Sequence, residues 1–161
     1  MAKDKAVINI SASLLPEEIR TQVGGSAVYN LNDLGSDNKW IYSLTIVGSS
    51  SEDLIKAAVP FLGQGAAEEG DTATANAEDD VVFLFVKHSG TTDGTTKTTA
   101  TLAIHLNTGT ATGSASGDII LKPGECFWAR LGHTQVDAIN GDSSSGNIQA
   151  QVYAILDDGG V

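Results

Sequence analysis

Cys126, the one cysteine of this sequence, has His133 seven positions after it. A thiol beside an imidazole is the start of a nucleophilic dyad, but the thiolate must be favoured by a positive or helix-N-terminal setting. Here Cys126 stands between Glu125 and Phe127 in an extended segment, and neither setting is visible. A buried or half-buried structural cysteine is the expected role, since free cysteines are among the most often buried residues. His88, His105 and His133 lie in separate segments without a His-x-His or His-x-x-x-His pair. Metal-ligand spacing is therefore absent, although His88 and His105 would approach each other if their strands paired.

The carboxylates group as Glu68-Glu69-Gly70-Asp71 and Glu78-Asp79-Asp80. Oxygen-rich clusters suit a hard cation, but no calcium-loop pattern spaces these, so solvated acidic loops are expected and no metal. Gly63-Gln64-Gly65 starts like a dinucleotide fingerprint, yet Glu68 stands where its third glycine belongs and no strand feeds it into a helix. No G-x-S-x-G and no P-loop occurs, and no cofactor is expected. Asn9-Ile10-Ser11 is a formal glycosylation sequon inside an expected strand, and is discounted. Trp40 and Trp128 can serve as a sugar platform or a subunit contact; packing in the core or at a sheet edge is the expected role, with the subunit interface next. The residues expected to meet a partner are Lys3, Lys5, Trp40 and Trp128.

The elements that must position these residues read as strands. Val81 to Val86 is unbroken apolar sequence, expected as a strand buried on both faces, and Thr101 to Leu106 alternates as its half-buried antiparallel neighbour. Further strands are expected at Lys5–Ile10, Ala27–Leu31, Trp40–Val47, Asp118–Leu121, Cys126–Leu131, Thr134–Ile139 and Ile148–Leu156. In Trp40–Val47 the bulky face (Trp40, Tyr42, Leu44, Ile46) is expected inward. Lys122-Pro123-Gly124-Glu125 fits a tight turn, across which Cys126–Leu131 is expected to pair back. Ser13–Arg20 is expected as a short helical turn or loop. Ser49–Val59 is the best helix, placed around residues 52–59, capped by serines, striped by Leu54, Ile55, Ala58 and Val59, and stopped by Pro60. Asn140–Gly146 is read as the loop of a final hairpin, and residues 64–77 as a loop with little to bury.

Composition agrees with that reading. The chain has 161 residues, enough for one domain with a core and too few to make two the default. Aromatics are 6%, so the core falls to Val, Ile, Leu and Ala; 18 Gly against 3 Pro suits short strands and tight turns. One cysteine excludes an internal disulfide framework. A net charge of −11 with nine scattered basic residues argues against nucleic acid and against an anionic membrane surface. No apolar run reaches the length of a transmembrane helix, and Ala6–Ile10 is too short for a signal peptide. The expectation is an all-β, single-domain antiparallel β-sandwich, jelly-roll-like, over residues 1–161, with a flexible arm at 1–5 and a tail at 157–161.

Two patches carry a likeness. Asp80-Val-Val-Phe-Leu-Phe-Val-Lys-His-Ser-Gly-Thr-Thr-Asp-Gly94 resembles a segment of small virion structural proteins from tailed phages of marine bacteria, cyanophages especially. Ile119-Ile-Leu-Lys-Pro-Gly-Glu-Cys-Phe-Trp-Ala-Arg-Leu131 is similar to the strand-PGE-strand segment that follows in them, and Lys39–Tyr42 with Asp53–Lys56 is similar upstream. The resemblance spans residues 38 to 156. It implies a non-enzymatic head decoration (cement) protein on the outer capsid surface, assembled in the host cytoplasm and clamping neighbouring copies of the major capsid protein. A homo-oligomer is expected with it, a trimer before a dimer, docking through segments such as 1–5 and 64–77. A phage fibre, or a receptor- or carbohydrate-binding β-sandwich, is the alternative.

Overall fold

A computed structural model of the chain describes residues 4–14, 21–31, 38–55, 77–106, 117–132 and 134–157. The described residues are all-β, as expected. The strands are β1 (Asp4–Leu14), β2 (Thr21–Leu31), β3 (Asn38–Val47), β4 (Glu52–Asp53), β5 (Asp80–His88), β6 (Leu102–His105), β7 (Ile119–Leu121), β8 (Cys126–Arg130), β9 (Asn140–Ser143) and β10 (Ile148–Asp157). One 3-10 turn, Val136–Ala138, lies between β8 and β9.

By contacts the chain divides into two compact units, Met1–Asn38 and Lys39–Val161. In the first, β1 and β2 form an antiparallel ladder from Asp4 opposite Leu31 to Leu14 opposite Thr21. Asp4 and Lys5 thus open a strand instead of belonging to an arm, and Ser13 and Leu14 end one instead of starting a helical turn; residues 1–3 and 15–20 lie outside the described residues.

The second unit is a β-sandwich. One four-stranded sheet has the order β3-β10-β5-β8 and the other β4-β9-β6-β7. Along the chain the strands fall in the first sheet, the second, the first, twice in the second, then the first, the second and the first. Two four-stranded antiparallel sheets wired in this way are a jelly roll. The core between them draws Ile41, Leu84 and Val152 from one sheet, Leu102 and Ile104 from the other, and Leu54 from the residues just after β4, all at most 1% exposed. Removing side chains of this size from water stabilises the fold by roughly 1.5–3 kcal/mol each before entropy is counted.

This wiring overturns several local expectations. β5 is flanked by β10 and β8, and β6 lies in the opposite sheet between β9 and β7. The two segments therefore meet across the core and not edge to edge. The Lys122–Glu125 turn forms as expected, with the Glu125 N–H donating to the Lys122 carbonyl at 2.9 Å and Gly124 at φ 86°. It passes the chain from β7 in one sheet to β8 in the other instead of closing a hairpin. Likewise Val136–Ala138 is a 3-10 turn, Asn140–Ser143 is a buried strand and not a loop, and β9 and β10 belong to different sheets.

β3 shows the opposite face to the core from the one expected. Ile41, Thr45 and Val47 are buried while Leu44 and Ile46 are each 42% exposed. The inward Thr45 is accommodated because its hydroxyl donates to the Leu54 carbonyl at 3.1 Å. The expected helix at 52–59 does not begin at its cap: Glu52 and Asp53 form β4 against Gly141 and Asn140, and the Leu54 N–H donates to the Ile139 carbonyl at 3.2 Å. Two helical turns are marginal alone, and a sheet edge that accepts the backbone outcompetes them. Residues 56–59 lie outside the described residues.

Candidate functional site

One end of the sandwich is built from segments far apart in sequence. β5 runs to His88 because its β-branched and aromatic residues suit a strand flanked on both sides. His88 is fully buried, and its Nδ1 accepts the Gly90 N–H at 3.0 Å. The proton of the neutral ring therefore sits on Nε2, which donates to the Ala100 carbonyl at 3.0 Å. One side chain thus ties both feet of the loop spanning residues 89–100.

The tip of that loop is closed by Asp93. Its Oδ1 accepts the N–H groups of Thr95 (2.9 Å) and Thr96 (2.7 Å) and the Thr95 hydroxyl (2.9 Å), while Oδ2 accepts the Thr96 hydroxyl at 3.1 Å. The Thr96 and then the Thr95 backbone N–H, joined by the Thr95 hydroxyl, hold the Asp93 carboxyl well below the usual carboxylate range. The Thr92 N–H donates to the Thr96 carbonyl at 2.8 Å, and Gly94 takes φ 92° where the turn needs it.

The neighbouring segments are joined to this loop by backbone. The Gly124 N–H donates to the His88 carbonyl (3.1 Å) and the His88 N–H to the Glu125 carbonyl (3.0 Å). Lys122 N–H donates to the Glu125 carboxylate at 2.8 Å, which closes that turn a second time. Gln149 N–H donates to the Thr91 carbonyl (2.8 Å), and Ser144 N–H to the Thr101 carbonyl (2.9 Å). Asp93 through Lys97 and Lys122 through Glu125 are exposed. These hydrogen bonds join the polar groups named above to one another and fix the shape of this end.

The other expected sites are scattered. Cys126 is exposed and free, not buried, because β8 is the edge strand of its sheet and alternation turns Cys126, Trp128 and Arg130 outward. His133 lies outside the described residues. His88 and His105 stand in opposite sheets and do not form a pair. Trp128 is 44% exposed on β8, whereas β3, the strand that contains Trp40, is the other edge strand of the same sheet. Lys5 pairs by backbone with Asn30 in the N-terminal unit, and Lys3 lies outside the described residues. Asp79 is buried, not solvated, and its carbonyl accepts the Val136 N–H at 3.0 Å; Glu68, Glu69 and Asp71 lie outside the described residues.

A second polar group lies on β6 and β9. Asp142 and His105 are 2% and 4% exposed, and Asp142 Oδ1 and His105 Nε2 make no hydrogen bond among the described residues. Asp142 faces Ala103 and His105 faces Asn140, so the two are diagonal neighbours of one ladder. Among the described residues no three His, Cys, Asp or Glu side chains converge as a metal shell. No described helix is long and apolar enough to cross a membrane.

Sequence reasoning marked the segment through Gly94 but not the roles of His88 and Asp93 within it. The signal for the second was present: Asp-Gly-Thr-Thr is the composition of a turn closed by its own carboxylate. Compared with models of known protein families the chain matches none, and no curated protein is significantly similar to it.

Proposed function

We propose that the protein is a non-enzymatic virion structural protein, a head decoration (cement) protein that binds the outer capsid surface and clamps neighbouring major capsid subunits. The observation that carries this reading is the union of the two patches that resemble phage virion proteins. Residues 80–94 and 119–131, separated in sequence, are joined through the pairing of β5 with β8 and the bonds between His88 and Gly124–Glu125. A brick of this kind, repeated over a particle, gains avidity from several modest contacts at once. Its net charge of −11 suits a surface turned to water and away from packaged DNA. The partners are the major capsid protein and further copies of the chain.

Mass spectrometry of purified particles with copy counting tests the proposal. Stoichiometric presence on heads, and earlier bursting on heating of heads that lack the protein, are expected; absence from virions ends the reading. A second reading, a fibre or carbohydrate-binding module, is favoured by one observation, the exposed indole of Trp128. It predicts glycan binding that Trp128→Ala removes without loss of fold, and a glycan array without hits disposes of it.

A further inference from the structure

The register of β5 and β8 sets Lys87 directly opposite Cys126. In the same ladder the His88 N–H donates to the Glu125 carbonyl, and the Leu131 N–H to the Val82 carbonyl. Positions 88 with 125 and 82 with 131 are thus the hydrogen-bonded kind of pair. By alternation Lys87 and Cys126 are the other kind, whose Cα atoms lie only about 4.5 Å apart and whose side chains stand closest. Leu84 and Val86 of β5 face the core, so Lys87 points away from it, as Cys126 does on β8.

Neither group is tied up by a neighbour. Cys126 is free and exposed, and the Lys87 side chain makes no ion pair or hydrogen bond among the described residues. The paired stretches 83–87, 126–130 and 149–155 contain no Asp or Glu that could hold the ammonium. Glu125, next to Cys126 in sequence, turns its carboxylate to the Lys122 N–H, which it accepts at 2.8 Å.

We propose that Cys126 and Lys87 are an acyl-transfer pair: the thiol takes an acyl group from a thioester and passes it to the lysine amine, which makes Lys87 a site of self-acylation. Thiols as a class reach their nucleophilic form at lower pH than lysine amines, so the sulfur reacts first. In that step the Cys126 sulfur bonds to the thioester carbonyl carbon and the donor's carbon–sulfur bond breaks. The released thiol carries the proton that Cys126 gave up. The neutral Lys87 amine then bonds to the same carbon, the bond to Cys126 breaks, and the amine's proton returns to the sulfur. Cys126 ends as it began, Lys87 ends as an amide, and one thioester has become one thiol. Thioesters are the class selected, because exchange with a thiol breaks and makes the same kind of bond. The second step competes because the acyl group is held one cross-strand pair from the amine. No second cysteine gives another lysine that advantage. This inference does not rest on the capsid reading, because it is tested on the isolated full-length chain.

Incubation with S-acetyl-N-acetylcysteamine, followed over time by peptide mass spectrometry, decides it. Lys97 and Lys122 are exposed and Lys87 is half-buried, so direct acetylation by the reagent would favour the first two. Lys87 is expected instead to be acetylated at least about tenfold faster than either. Cys126→Ser should bring Lys87 down to the rate of Lys97 or below it. Lys87→Arg should leave the acetyl group on Cys126, as a thioester that hydroxylamine removes. Both side chains point off the sheet, so both variants are expected to keep the far-UV circular dichroism of the wild type. Acetylation of Lys87 that is not ahead of Lys97 and Lys122 overturns the proposal. So does a wild-type rate at Lys87 in Cys126→Ser, or a wild-type chain in which the acetyl group stays on Cys126.

Discussion

Asp93 is fully exposed yet its carboxylate holds four hydrogen bonds, so its ionised form is favoured by local donors and not by burial. A depressed folded-state pKa contributes order that is complete above the unfolded value of about 3.9 and is lost only as acid passes through the lowered one. The Thr95 and Thr96 amide resonances should therefore stay in place from pH 7 to about pH 4. Asp93→Ala should instead make both amides exchange rapidly at pH 7, read by hydrogen exchange. His88 acts in the interior by the same kind of bonding. Replacing it with Leu keeps an apolar volume but leaves the Gly90 N–H and the Ala100 carbonyl without their partner. A loss of about 2–4 kcal/mol in urea unfolding is expected, since each buried orphan costs about 1–3 kcal/mol.

At the level of elements, close approach between strands is set by glycines. A Cβ at Gly117 would lie 2.8 Å from the Ala103 Cβ and 3.2 Å from the Ile104 nitrogen, where β7 begins to pair with β6. Because backbone stands in the way, Gly117→Val should lower stability by about 1–3 kcal/mol, measured as a drop in the urea midpoint at unchanged slope. Gly141 is similar: its Cβ would meet Leu54 Cδ2 at 2.8 Å, which is why a short, polar segment can be the strand beneath a fully buried leucine. Gly124 has open space around it and a positive φ. Gly124→Ala should therefore cost only about 1–2 kcal/mol, the conformational penalty alone, and the same unfolding series separates the two mechanisms.

For the molecule as a whole, the jelly roll places its neighbours far apart along the chain. β3 pairs with β10, and β5 lies between β10 and β8. Loops of that length must close before the contacts that stabilise them exist, so refolding followed by stopped-flow fluorescence should take milliseconds to seconds. Refolding in microseconds would contradict the topology.

The strands and turns were legible because they are local. The apolar run of β5 and the Pro-Gly of residues 123–124 declare themselves within a few positions. Partners were not legible: the pattern of β5 is satisfied equally by β6 or by β10 and β8, and that of β3 by either face. β9 was hidden because Asn-Gly-Asp-Ser has the composition of a loop, and only its place between β4 and β6 makes it a buried strand. At the candidate site, the segment from His88 to Gly94 could be picked out, but not its joining to the turn at Lys122–Glu125. Alternation and turn chemistry determine which stretches extend and where they bend. Which backbone meets which, and which side faces the core, is decided when two sheets close on one another, because hydrogen-bond partners and facing volumes exist only then.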